Sequence, residues 1–277
     1  MAEAHVGQLR LQPVLNAHLA LIRGSWRSQK AYPLSFVMLT GAMLFGTSLD
    51  FVTIAIIFTR LTRLGGFSLY EVALLYGISA VSFAITDLAL GAMDLLPDYI
   101  RLGTLDGLLL RPLGILYQLA TSELALRRVG KLAQGLAILL LALVGLHIAW
   151  TPGKLGMLLM TLVTGPLLFG AIWIACTSHV FWTIDTGEMA NAFYYGGNLF
   201  AQYPVDLFGR WLRDLMTFVL PLAFVSYEPA LYILDKHDPF GLPAFVPLLT
   251  PLVAVAAAVI AALVWRAGLR RYQGTGS

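Results

Sequence analysis

Long apolar runs separated by short polar breaks decide what this chain can become. A helix needs about twenty consecutive apolar residues to cross the hydrocarbon core of a bilayer. The 277-residue sequence offers such runs at 32–59, 69–96, 132–150, 155–181 and 244–263. A sixth, 204–225, is polar at its start and broken by Pro221. Lipid cannot hydrogen-bond a backbone, so each run must close its own bonds as a helix. Only 12% of the residues are charged, about half the roughly 25% of a soluble domain. The expectation is an all-α polytopic membrane protein of six transmembrane helices in one transmembrane domain. The stretches between the runs are too short for a soluble fold, which needs roughly 40 residues.

The cations suggest an orientation. With both termini on the cytoplasmic side, 14 of the 18 Lys and Arg fall inside, and only Arg60, Arg63, Lys154 and Lys236 fall outside. That asymmetry is the one expected of a membrane protein. Leu9 to Lys30 is amphipathic, with Leu11, Leu15, Leu19, Ile22 and Trp26 opposite Arg10, Arg23, Arg27 and Lys30. Such a helix lies in the membrane interface. No cleavable leader is expected, because no short apolar run with a cleavage site opens the chain. A net charge of +3 fits a basic cytoplasmic face rather than nucleic-acid binding.

Residues 98–112, DYIRLGTLDGLLLRP, form a bounded polar break between Pro97 and Pro112. Asp98 can cap a short helix, with Ile100, Leu105, Leu108 and Leu109 roughly on one face. Such a helix lies on the membrane surface, either as an ordinary interfacial loop or as a docking element for a soluble partner. Arg101 and Arg111 offer charge-assisted contacts, and Asp106 can reach the basic pair Arg127-Arg128. Asp87 is the acid deepest in an apolar run, where acids are functional candidates by default; a neighbouring helix or a wet crevice can equally hold it. Asp206, Arg210, Arg213 and Asp214 make a stripe in which Asp206–Arg210 and Arg210–Asp214 are spaced to pair. The stripe faces solvent, another helix or another subunit. Residues 182–203, aromatic and polar, read either as a loop helix or as the start of the fifth span.

Much chemistry is absent. Gly153-Lys154 lacks the Ser or Thr and the glycine-rich loop of a phosphate-binding motif. No GxSxG or HExxH occurs, the single Cys176 makes no disulfide, and the five His lack metal-ligand spacing. No catalytic, cofactor or metal residue is therefore expected on this chain.

Gly103-Thr-Leu105-Asp106-Gly-Leu-Leu-Leu-Arg111-Pro112 resembles the signature G-x-L-D-x-x-L-x-R-P of a prokaryotic branch of the ABC type-2 export permeases. Gly65-Gly66-Phe67-Ser68 and Leu220-Pro221-Leu222-Ala223-Phe224-Val225 are similar to the same superfamily, and the resemblance covers about residues 10 to 270. It implies an N-terminal elbow helix at 9–30 and six spans with both ends cytoplasmic. It also implies a coupling helix at 98–112, where Arg101, Gly103, Leu105, Asp106, Arg111 and Pro112 meet a separate ATPase. Two ATPases carrying ATP and Mg, and a second permease, identical or related, would complete an exporter in the cytoplasmic (inner) membrane. Two rival readings stay open. One is an ATP-independent carrier or channel. The other is an intramembrane enzyme using Asp87, Glu123 or His179. Asp87, Asp206, Arg210, Arg213 and Asp214 are kept as candidates for the path or a subunit interface.

Overall fold

The computed structural model describes residues 33–111, 113–122, 128–183, 188–238 and 241–272. The described residues are helical apart from turns and one isolated bridge between Leu64 and Phe67. The expected helix at 9–30, together with Pro112, Glu123 and Arg127, lies outside them.

Helix α1 spans Pro33–Phe58. Gly65 and Gly66, at φ +56 and +82, take left-handed conformations that glycine adopts without strain, and they reverse the chain into α2, Leu69–Leu90. The Glu71 carboxylate accepts the Ser68 N–H at 2.7 Å, which satisfies one of the free donors at the start of α2.

Helix α2 is the central post. Its apolar window is 78% buried, against 6% for that of α1. Small residues account for the close packing. A Cβ on Gly77 would sit 2.7 Å from the Leu139 Cα, and one on Gly135 would sit 3.0 Å from the Val81 nitrogen. The backbones of α2 and α6 (Val129–Gly145) therefore approach as membrane helices do where side chains are missing. Helix α7, Pro152–Thr177, starts with Thr151 as its cap and proline in its first turn, a favoured N-terminus. The Thr86 hydroxyl donates to the Pro166 carbonyl at 3.0 Å and ties α2 to α7. Helix α12, Thr250–Arg271, lies along α7.

Four helices are long and apolar enough to cross a membrane, at 37–58, 69–101, 152–183 and 246–271, and α6 is a shorter apolar helix. The structure departs from the sequence expectation in two places. First, 132–150 is not one helix: α6 ends at Gly145, and the following residues are extended as they approach Pro152, which disfavours a helical neighbour. Second, 204–225 is not one helix. It is a 3-10 turn (Val205–Leu207), a short helix (Arg210–Asp214), a π-turn (Leu215–Val219) and a second 3-10 turn (Leu222–Val225). Pro221 has no N–H to continue a helix. The continuous helix here is instead Glu188–Gln202, in the region that read ambiguously.

Irregular backbone survives at membrane depth only when protein covers it. Residues 222–225 are all buried. A Cβ on Gly197, in the 188–202 helix, would lie 2.8 Å from Leu222, and one on Gly165, midway along α7, would lie 3.5 Å from the Val225 carbonyl. The chain thus dips into the bundle and leaves again through the helix Tyr227–Leu234. An aromatic cluster beside the dip holds the middle: Trp173 and Tyr194 stack at 3.8 Å, and Phe83 lies 4.5 Å from Tyr194.

Candidate functional site

The bundle has two ends of different character. One gathers the C-terminal end of α2, the 91–111 segment, the start of α6, and the C-terminal ends of α7 and α12. Phe181 packs there on Trp265 at 5.3 Å. The other gathers the 64–71 turn, residues 204–214 and the 235–247 connection.

At the first end α2 runs into a 3-10 turn (Gly91–Leu95) and two short helices, α3 (Leu96–Arg101) and α4 (Leu105–Leu109). The single helix expected over 98–112 is therefore two. Gly103, at φ +69, makes the corner between them, where a Cβ would be strained. Asp98 is not the cap: α3 begins earlier, with Pro97 in its first turn, and Asp98 pairs with Arg101 at 2.9 Å in the open.

The segment is anchored from behind. Leu96 and Leu105 are fully buried and Ile100 nearly so. The Gln118 amide donates to the Leu108 and Leu113 carbonyls at 2.9 and 2.8 Å. Its front is bare: Leu102 is 69% and Leu110 88% exposed, beside exposed Arg101 and Arg111. Asp106 does not reach Arg128. Its carboxylate lies instead by the Tyr272 hydroxyl, whose pKa is raised by burial and by that negative neighbour. This links the segment to the end of α12.

Arg128 is taken by Asp87. The Asp87 carboxylate meets the Arg128 Nε at 3.3 Å and the Lys131 Nζ at 2.9 Å, and Arg128 also donates to the Asp87 carbonyl at 3.1 Å. A buried acid needs such partners. Gly91 makes room, because a Cβ there would overlap the guanidinium at 1.8 Å. The three charges join α2 to α6 directly behind the 91–111 segment. The spacing of the sequence marked Asp87, but not its partners 41 and 44 residues later.

The charged stripe lies at the other end. A Cβ on Gly65 would stand 3.2 Å from Pro204, which sets residues 204–214 beside the α1–α2 turn. Arg210 and Arg213 are thus grouped with Arg63 rather than with the 91–111 segment, which weakens the charge asymmetry counted above. The expected Asp206–Arg210–Asp214 ladder is replaced by one arginine. Arg213 reaches Asp206 at 4.0 Å and Asp214 at 3.5 Å. The break at Gly209 removes the continuous helix that the ladder required. Between α1, α2, α6 and the 188–202 helix a polar cavity of about 190 Å³ is lined by Thr47, Asp50, Tyr76, Lys131, Gln134 and Asn198, among others. Polar groups at this depth face a bundle interior or water, not lipid.

No curated protein and no solved structure matches the chain. A family model described as ABC-2 family transporter protein matches residues 44–276. The match spans most of the chain and covers both ends of the bundle, the apolar helices and the segment with the bare front. The chain belongs to the ABC-2 transporter family, and it is a multi-pass membrane protein, a permease component of an ABC transporter.

Proposed function

We propose that this chain is the transmembrane subunit of an ATP-driven exporter in a prokaryotic cytoplasmic membrane. Two copies of a separate ABC ATPase, carrying ATP and Mg, drive it, and a second permease, identical or related, completes the path. Six passages are assigned to α1, α2, α6, α7, the 188–202 helix and α12, with both termini cytoplasmic. The 91–111 segment is the coupling element. Arg101, Gly103, Leu105, Asp106, Arg111 and Pro112 form or support its contact with the ATPase.

The observation that carries this reading is the asymmetry of the segment. Buried Leu96, Ile100 and Leu105 and the Asp87–Arg128–Lys131 cluster brace it from behind. Its apolar and cationic front is exposed among the described residues. A closing ATPase dimer needs a rigid lever, and a segment braced into α2 and α6 supplies one. The polar cavity between α1 and the 188–202 helix is the corresponding stretch of the cargo path, with the sparsely buried α1 toward the second permease.

Pull-down of the tagged chain from its native membranes in mild detergent tests the proposal. Wild type retains an ATP-binding subunit and ATPase activity. A Leu102→Asp, Leu110→Asp variant, altered only on the surface, stays in the membrane and loses both. If wild type comes out free of any ATPase under conditions that preserve known complexes, the carrier reading replaces this one.

A further inference from the structure

A cavity of about 460 Å³ lies at the end of the bundle opposite the 91–111 segment. Its volume falls in the range of small-ligand sites. The walls are the start of α7, the helix Tyr227–Leu234 and residues 235–238 and 242–247. Their apolar part includes Leu231, Tyr232, Leu242 and Pro247.

The walls carry several ionisable groups, and all but one are engaged or exposed. Lys154 is paired with Asp235. Lys236 is held by Glu71 at 2.9 Å and by the Gly66 carbonyl at 2.8 Å. The Asp238 carboxylate accepts the Leu242 N–H at 2.9 Å, and His237 is exposed. That leaves Glu228, which lines the cavity, is 0% exposed and has no hydrogen-bond partner on either carboxylate oxygen. Both wall lysines are committed to other acids, so none neutralises it. A buried carboxyl with neither oxygen hydrogen-bonded is costly, and a position beside a cavity that keeps one is suited to a partner that arrives. Among the described residues no three His, Cys, Asp or Glu side chains are placed to hold a metal ion, and the apolar part of the wall suits an organic body.

We propose that this cavity binds a small organic cation, an ammonium group on an apolar body, with Glu228 as its counter-ion. The apolar wall takes the body. Glu228 turns toward the cavity as the ligand enters, because its oxygens are covered in the empty state. Burial and the nearby Asp238 push the Glu228 carboxyl up to about 8, so at neutral pH the empty site holds a proton there. Binding releases that proton to solvent as the ammonium replaces it. The proposal does not depend on the ATPase reading, since it concerns the chain's own cavity.

The test uses the full-length chain, with whatever subunits co-purify, in phosphatidylglycerol nanodiscs. The probe is benzyltrimethylammonium, whose charge is fixed at every pH. Wild type binds it saturably, and affinity rises about tenfold per pH unit below the carboxyl's pKa, as ionisation of one acid requires. Glu228→Gln matches the protonated acid in size, keeps the thermal midpoint at pH 6, binds at least about tenfold more weakly at pH 8 and shows no pH slope. Repeating the titration in phosphatidylcholine identifies the source of the cation. Competition there assigns the site to a lipid ammonium headgroup, and unchanged affinity assigns it to a soluble amine. Equal binding by wild type and Glu228→Gln, or no saturable binding in wild type, overturns the proposal.

Discussion

Asp87 and Glu228 are both buried acids in a membrane protein, at opposite ends of one bundle, and they are treated in opposite ways. Asp87 is 3% exposed and lies within 3.3 Å of two cations. Glu228 is 0% exposed and meets none. The first is a fixed strut. Its negative charge is neutralised in place and holds α2 to α6 where the exposed segment must be rigid. The second has no cation beside it and lines a cavity. A paired buried charge therefore marks where this protein must not move. An unpartnered buried acid beside a cavity is where the proposed ligand binds.

Breaking the strut has the largest expected effect. Asp87→Ala leaves Arg128 and Lys131 buried without their anion, and loss of one partner from a buried pair costs about 3–5 kcal/mol. A lower thermal midpoint in detergent checks this, and an unchanged midpoint would remove Asp87 from its structural role. The pH dependence of Glu228 comes next. Its carboxyl titrates near 8 in the folded protein, against 4.5 ordinarily. A raised folded pKa means that the folded state binds the proton more tightly. The resulting stability is fully present below about pH 4.5 and is lost as pH rises through about 8, a few kcal/mol in all. Stability of wild type, compared with Glu228→Gln from pH 5 to 9, should fall in the first and stay level in the second. Parallel curves would mean that Glu228 has a partner in the membrane.

Gly91→Ala sharpens the comparison. The new methyl group displaces the flexible Arg128 guanidinium and costs roughly 1.5–3 kcal/mol, the worth of a hydrogen bond to a charged group. A double-mutant cycle with Asp87→Ala should show the two losses to be non-additive. The smallest effect is that of Gly103→Ala. Holding a Cβ in the left-handed region costs about 1–2 kcal/mol. The loss should appear chiefly as weaker ATPase stimulation, with membrane insertion unchanged.

Sequence reading located α1, α2, α7 and α12 because each contains an apolar run longer than a bilayer is thick. It left the 188–202 helix undecided, between a loop helix and the start of a span, for a physical reason. Asn191, Asn198 and Gln202 look like loop residues, yet they sit among protein neighbours, with Asn198 within 3.2 Å of the Ser79 hydroxyl. Composition reports lipid contact, not helicity. The apolar stretch 215–225 misled in the other direction, because its last part, 222–225, is buried by protein rather than lipid. Asp87 was legible as an acid inside an apolar run. Its partners were not, because they come from α6 and only packing brings them near. Glu228 went unnoticed beside Pro229, between the runs 204–225 and 244–263. The available signal was a lone acid among the apolar residues from Leu220 to Leu234.

The most direct test of the central claim is a cross-link to the ATPase from one end of the bundle or the other. A photoreactive residue in place of Leu110, which is 88% exposed on the braced segment, is compared with one in place of His237 at the opposite end. The account predicts that only the Leu110 position captures an ATP-binding subunit in native membranes. Capture from His237, with none from Leu110, would contradict it and turn the molecule over in the membrane.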